Sequence, residues 1–142
     1  MKFNTKVRYG VRAMIEIALN ESPNGIFQKD ISSHQQISNR YLDHIIASLK
    51  VSGLISTLKG KKSGYVLTRK PSEISLYDIY KAFESDMQIV ECLSTNQHCE
   101  RNSLCAAQTT WTELNDLIIN YLKSKSLADL VATHHQINNQ SF

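Results

Sequence analysis

The scarcities of this 142-residue chain narrow the field first. It has two prolines and five glycines, too few for a collagen-like, linker-like or disordered protein. It has only three cysteines, an odd number that argues against a framework of paired disulfides and for ligands or reactive thiols. No apolar run approaches the roughly 18 residues needed to cross a bilayer, and the opening Met1-Lys2-Phe3-Asn4-Thr5-Lys6 lacks the apolar core of a secretory signal. There is no Gly-rich phosphate loop, no H-E-x-x-H and no nucleophile with a base at a workable spacing, so nothing points to an enzyme. These absences favour a cytoplasmic protein without a membrane partner.

Acidic residues are also scarce, but only in one half. Residues 1–70 carry 12 Lys or Arg against four Asp or Glu, whereas residues 71–142 carry four against nine. The overall charge of +3 therefore hides a first half at +8 and a second at −5. A basic half of this size suits a phosphate backbone, where Lys and Arg displace condensed counterions. Charge alone fits a solvated surface equally well, so the pattern of the chain must decide.

What is present reads as a mainly α fold with a small β-hairpin. Val7, Val11, Met14, Ile15, Ala18 and Leu19 recur at helical spacing until Pro23-Asn24-Gly25 breaks the pattern. A short polar helix with Ile31 facing inward follows from Gln28 and ends near Gln36. Ser38 then caps a helix with an inner stripe of Tyr41, Leu42, Ile45, Ile46 and Leu49, leaving Asn39, Arg40, Asp43, His44 and Ala47 outside. Two helices joined so closely read as a helix-turn-helix whose second helix enters the major groove.

Gly53 ends that helix, and Leu54–Leu58 and Tyr65–Thr68 read as two strands joined by Lys59-Gly60-Lys61-Lys62-Ser63-Gly64. A lysine-loaded tip in this position is a wing laid against the flanking backbone or minor groove. A solubilising turn is the weaker alternative. The expected DNA contacts are Gln28, Ser38, Asn39, Arg40, Tyr41, Asp43 and His44 of the two helices, with Lys59, Lys61, Lys62, Ser63, Gly64 and Tyr65 of the wing. Arg40 suits guanine, Asn39 and His44 suit base edges, and Asp43 suits the amine of cytosine.

Ser75 with Asp78 three residues on, flanked by Ile74 and Ile79, marks a capped short helix to about Phe83. Cys92, Cys99 and Cys105 then fall in a polar stretch without periodicity. Trp111, Leu114, Leu117, Ile118, Tyr121 and Leu122 form a stripe on a long helix, a short helix begins at Leu127, and 133–142 reads as a frayed polar tail. The expected organisation is a winged helix-turn-helix domain over 1–83, a cysteine-bearing loop over 84–106, a long and a C-terminal helix over 107–132, and a flexible tail over 133–142.

Over almost its whole length the chain resembles the Rrf-two family of winged-helix bacterial transcription factors, which includes iron-sulfur cluster regulators and nitric-oxide-sensing repressors. The resemblance rests on Thr5–Met14, Ile37–Leu42, Leu54-Ile55 with Gly64-Tyr65, Ile74–Ile79, Val90-Glu91-Cys92, Leu104-Cys105, and Trp111 onward to Leu130. It implies a homodimer whose Trp111 helices cross, two wings and two recognition helices straddling a pseudo-palindromic double-stranded operator. Trp111, Leu114, Leu117, Ile118, Tyr121 and Leu122 would then form the dimer interface. It also implies an iron-sulfur cluster, two-iron or four-iron, with Cys92, Cys99 and Cys105 as ligands. Soft thiolates suit such a cofactor. Zinc is the chemical rival, but its usual C-x2-4-C knuckle is absent, the intervals here being six and five residues.

The chain departs from the family pattern at several points. Gln108 stands where the cluster regulators carry a histidine ligand, and Arg8 where the nitric-oxide sensors place an acid. The fourth ligand therefore stays open among Glu91, His98, His134, His135, a partner-subunit residue and an external molecule. Gln36 replaces a turn glycine, and Lys62-Ser63 replaces a glycine pair in the wing. The expected function is a DNA-binding regulator, a repressor, whose operator binding responds to the cluster. A cluster-free thiol or metal sensor is the first alternative, and an electron-transfer iron-sulfur protein the second.

Overall fold

The computed structural model describes residues 2–60, 63–93, 100–101 and 104–139. Helix α1 (Thr5–Leu19) starts at Asn4, whose side chain accepts from the Val7 amide at 2.8 Å. It is the central rod, touching α2 (Gln28–Gln35), α3 (Asn39–Val51), the hairpin and the later helices α4 (Leu76–Lys81) and α6 (Leu127–Asn139). Because neighbours surround it, its buried face is wider than one stripe. Val7, Ala13, Met14 and Ile17 are buried, while Val11, Ile15 and Ala18, expected inside from spacing, are only half buried. Gly10 belongs to this face because a Cβ there would lie 2.3 Å from the Phe83 ring.

The helix-turn-helix forms as the sequence suggests. Gln36 ends α2 in the left-handed region at φ 55, Ile37 is buried, and the Ser38 hydroxyl accepts from the Tyr41 amide at 3.2 Å. Ser32 reinforces the turn by donating to the Ile37 carbonyl at 2.6 Å. Along α3, Leu42, Ile45, Ile46 and Leu49 are buried together with Ile31, Met14 and Leu54. Asn39, Arg40, Asp43, His44 and Ala47 are exposed.

Gly53, at φ 78, releases the chain from α3 into β1 (Ile55–Thr57), which pairs antiparallel with β2 (Tyr65–Leu67) in the register Ile55 to Leu67 and Thr57 to Tyr65. The strands are shorter than the apolar runs that announced them. The hairpin also gains a pairing that the sequence pattern did not reveal. Ile26 bridges Tyr65 through two backbone hydrogen bonds, at 3.1 and 2.8 Å. This close approach explains Gly64, where a Cβ would meet the Ile26 backbone at 2.5 Å. The wing is thus anchored to the segment leading into α2.

A 3-10 turn (Pro71–Glu73) leads to α4, closed by the reciprocal bonds of a capping box: the Ser75 amide donates to Asp78 at 2.9 Å and the Asp78 amide to Ser75 at 3.0 Å. Ile74 and Ile79 are fully buried beside it. A second 3-10 turn (Glu91–Leu93) precedes the 19-residue α5 (Ala106–Ser124). The corner after α5 returns to the first domain, the Leu76 amide donating to Lys125 and the Leu127 amide to Ile74, both at 2.8 Å. Ser126 and Asp129 repeat the capping box at the start of α6.

That last helix corrects the expected short helix and flexible tail. Residues 133–139, polar in composition, continue α6, with Thr133 donating to the Asp129 carbonyl and Asn138 to that of His134. A capped start, with Leu127 fully buried and Leu130 half buried against the core, nucleates a helix that composition alone did not favour. Residues 140–142 lie outside the described residues. Among the described residues no helix is long and apolar enough to cross a membrane.

Candidate nucleic-acid interface and cysteine segment

The outer face of α3 presents Asn39, Arg40, Asp43 and His44 to solvent, held there by the apolar face beneath. Gln28, at the first turn of α2, reaches this face. Its amide nitrogen donates to the Asn39 carbonyl at 3.0 Å and to Asp43 Oδ1 at 2.8 Å. Ser38 is committed to capping α3. Tyr41 is half buried, its ring edge-on to Tyr9 at 5.4 Å, and Arg12 lies over Tyr9 at 5.1 Å.

Behind the turn lies a polar network that sequence reading did not anticipate. Glu16, 8% exposed, accepts from Gln35 at 2.7 Å and faces His34 Nδ1 at 3.1 Å. Arg12 donates to the Gln35 side chain at 2.9 Å and to its carbonyl. These bonds lock the end of α2 to α1 and so fix where α3 departs. Only the mixed polarity of α1 hinted at them.

In the wing, Lys59 is exposed and the Ser63 hydroxyl donates to the Gly60 carbonyl at 2.7 Å. Lys61 and Lys62, expected at the tip, lie outside the described residues. Gly64 is buried beneath Ile26, and Tyr65 is half buried, with Lys50 over its ring at 6.0 Å. Both carry the wing from below, so the expectation that Gly64 itself meets DNA is corrected by that burial.

Cys92 sits in the second 3-10 turn and Cys105 immediately before α5. Both are half buried free thiols. Cys99 and His98 lie outside the described residues. Among the described residues no group of three His, Cys, Asp or Glu side chains is close enough to hold a metal. Glu91 is exposed, Gln108 is half buried one turn into α5, and Arg8 donates to Thr5 at 3.3 Å. His134 and His135 lie edge to face on α6 at 5.9 Å.

The connection into the cysteine segment is clamped by Asn115, which is buried in α5. Its side chain donates to the Met87 carbonyl and accepts from the Ile89 amide, each at 2.9 Å. An asparagine at the centre of an apolar helical stripe is the signal by which it would have been found. Elsewhere along α5, Trp111, Leu114, Leu117 and Tyr121 are exposed, Leu117 at 67%. Ile118 is half buried. Leu122, expected on the same exposed stripe, is instead buried in its own chain at 8%. It lines an apolar groove of about 350 Å³ with Val7, Val11, Leu76 and Tyr80.

The profile of the Rrf2 family, described as iron-dependent transcriptional regulators, matches residues 3–133. The chain belongs to the Rrf2 family. It is 35% identical over 131 residues to protein rrf2 of Nitratidesulfovibrio vulgaris, covering 92% of this chain and 87% of that protein. It is 32% identical to the HTH-type transcriptional regulator IscR of Photorhabdus laumondii, over 92% of this chain and 79% of that one. Among solved structures, CymR of B. subtilis, described as the global cysteine regulator, superposes with a TM-score of 0.76 at 29% identity, covering 94% of this chain and 98% of CymR. IscR of T. potens gives a TM-score of 0.76 at 28% identity over 94% and 88% of the two chains. A Staphylococcus aureus CymR in oxidized form gives 0.71 at 31%, over 92% and 96%. As an Rrf2 protein, the chain is a DNA-binding transcriptional regulator with the winged helix of that family, and its relatives are regulators, not enzymes.

Proposed function

We propose that this Rrf2 regulator acts as a homodimer on a pseudo-palindromic operator, usually as a repressor, and that an iron-sulfur cluster held by Cys92, Cys99 and Cys105 sets its affinity. The observation that carries the sensing half is the placing of Cys92 and Cys105. They are free thiols in the connection between α4 and α5, Cys92 in its 3-10 turn and Cys105 directly before α5. The donor set fits the group, since soft thiolates favour clustered iron. When bound, the cluster would supply a redox-labile link whose gain or loss changes the state of that connection. The chain's own residues do the rest: Asn115 grips the segment before Cys92, and α5 carries any change at Cys105 to the dimer face.

The dimer reading rests on the exposed stripe of α5. Trp111, Leu114, Leu117 and Tyr121 recur on one face and leave a contiguous apolar surface that a soluble regulator covers. A second copy supplies the same stripe, as an isologous interface requires. On DNA, Arg40 would pair bidentately with guanine, Asn39 and His44 would read base edges, and Lys59 with the wing lysines Lys61 and Lys62 would hold phosphates.

The alternative is a cluster-free thiol sensor, favoured by the likeness to CymR and by the two unpaired thiols. Protein purified without oxygen separates the two. Absorption between roughly 320 and 460 nm with matching iron and sulfide would mark cysteine-ligated clustered iron, and Cys92→Ala would abolish it. A colourless protein that resists reconstitution, yet changes DNA affinity reversibly with peroxide, would establish the thiol sensor instead.

A further inference from the structure

The Gln28 amide nitrogen has two hydrogens and meets two acceptors, the Asn39 carbonyl at 3.0 Å and Asp43 Oδ1 at 2.8 Å. Turning the amide over would set its oxygen against both acceptors, so the bonds determine its orientation. Gln28 therefore has no donor left for a base or a phosphate. Asp43 is a carboxylate in the basic half of the chain, but among the described residues no Lys or Arg forms an ion pair with it. A neutral amide holds its side chain still without cancelling its charge.

A fixed, uncompensated carboxylate on the exposed face of a recognition helix repels phosphate and the acceptor edges of guanine and thymine. It is favourable only where a base amino group meets its free oxygen. Resting on the DNA-binding reading of α3, we infer that Gln28 is a positioning residue for Asp43. It makes Asp43 a selector for cytosine or adenine, the bases that present a major-groove amine, on the strand that its free oxygen faces, rather than touching DNA itself. Sequence discrimination at that base pair is then shared between α2 and α3.

The test uses the full-length chain and a randomised half-site library, with bound DNA sequenced for wild type, Asp43→Asn, Gln28→Leu, Gln28→Glu and the Gln28→Leu/Asp43→Asn pair. Asp43→Asn should flatten preference at one base pair by about tenfold. Gln28→Leu should weaken preference severalfold at that same base pair. Gln28→Glu, which sets a second carboxylate against Asp43, should weaken it further. The double variant should lose no more than Asp43→Asn alone, as coupled residues do. Thermal unfolding of each variant checks that it is folded, and Gln28→Glu serves should Gln28→Leu be unstable. A change at a different base pair in the Gln28 variants, or none where Asp43→Asn acts, would overturn the positioning role. A wild-type protein that enriches no sequence would overturn base reading by α3 itself, and the inference with it.

Discussion

Gln36 holds a left-handed turn that favours glycine, and none of the hydrogen bonds around that turn uses its side chain. A non-glycine residue there is strained by about 1 kcal/mol or more, partly offset by the larger unfolded-state entropy of glycine. Gln36→Gly should therefore raise stability by about 0.5 to 1 kcal/mol, read as a higher denaturant midpoint at unchanged slope. Arg40→Ala should cost about 1 to 3 kcal/mol on the operator and relax one position, whereas Lys59→Ala should weaken every sequence and reduce the salt slope by about one. Binding isotherms on specific and random DNA across a salt series distinguish these outcomes. Single residues were legible in the sequence where their chemistry is local. Ser38, and Ser75 with Asp78, cap helices within three positions of themselves. The partners of Asn115 and Glu16 were not legible, because they lie 26 and 19 positions away, at Ile89 and Gln35.

At the scale of elements, Asn115 joins α5 to the irregular segment before Cys92. Asn115→Leu would leave the Met87 carbonyl and the Ile89 amide unpaired, at a cost of about 1 to 3 kcal/mol. Equilibrium unfolding measures that loss, and spectral reconstitution at the cysteines reads its effect on the neighbouring segment. The α6 start depends on acidity in a defined direction. Hydrogen bonds from the Ser126 amide and hydroxyl hold the Asp129 carboxyl below its ordinary value, with Lys125 adding a smaller attraction. Its contribution is therefore fully present above the usual carboxylate range and is lost as pH falls through it, below about 4. The midpoint difference between wild type and Asp129→Asn should shrink on going from pH 6 to pH 3. The helices were legible from apolar spacing, but the Ile26 strand pairing was not, since one bridging residue leaves no alternation to read. The extension of α6 was hidden for a related reason: its polar residues 133–139 are set by the cap and by the packing of Leu127 and Leu130, several positions away.

For the molecule as a whole, the exposed stripe of α5 is an apolar surface that the chain's own described residues leave uncovered. The proposed homodimer predicts that Leu117→Glu sediments as a monomer and binds the operator only as strongly as a half-site, because a charge at such an interface is desolvated without a partner. The winged-helix class was legible at this scale, since basic charge, the capped recognition helix and the lysine turn occur in one order along the chain. The proposed sensing chemistry shows in the sequence only as three cysteines, because a cluster would add a group that the chain does not encode. The most direct test of cluster-controlled regulation is the affinity of one anaerobic preparation for its selected operator, measured at fixed salt before and after the iron is removed. A change of about tenfold or more, corresponding to about 1.4 kcal/mol of coupling and absent in Cys92→Ala, is the predicted result. Equal affinity in the two states would contradict the account.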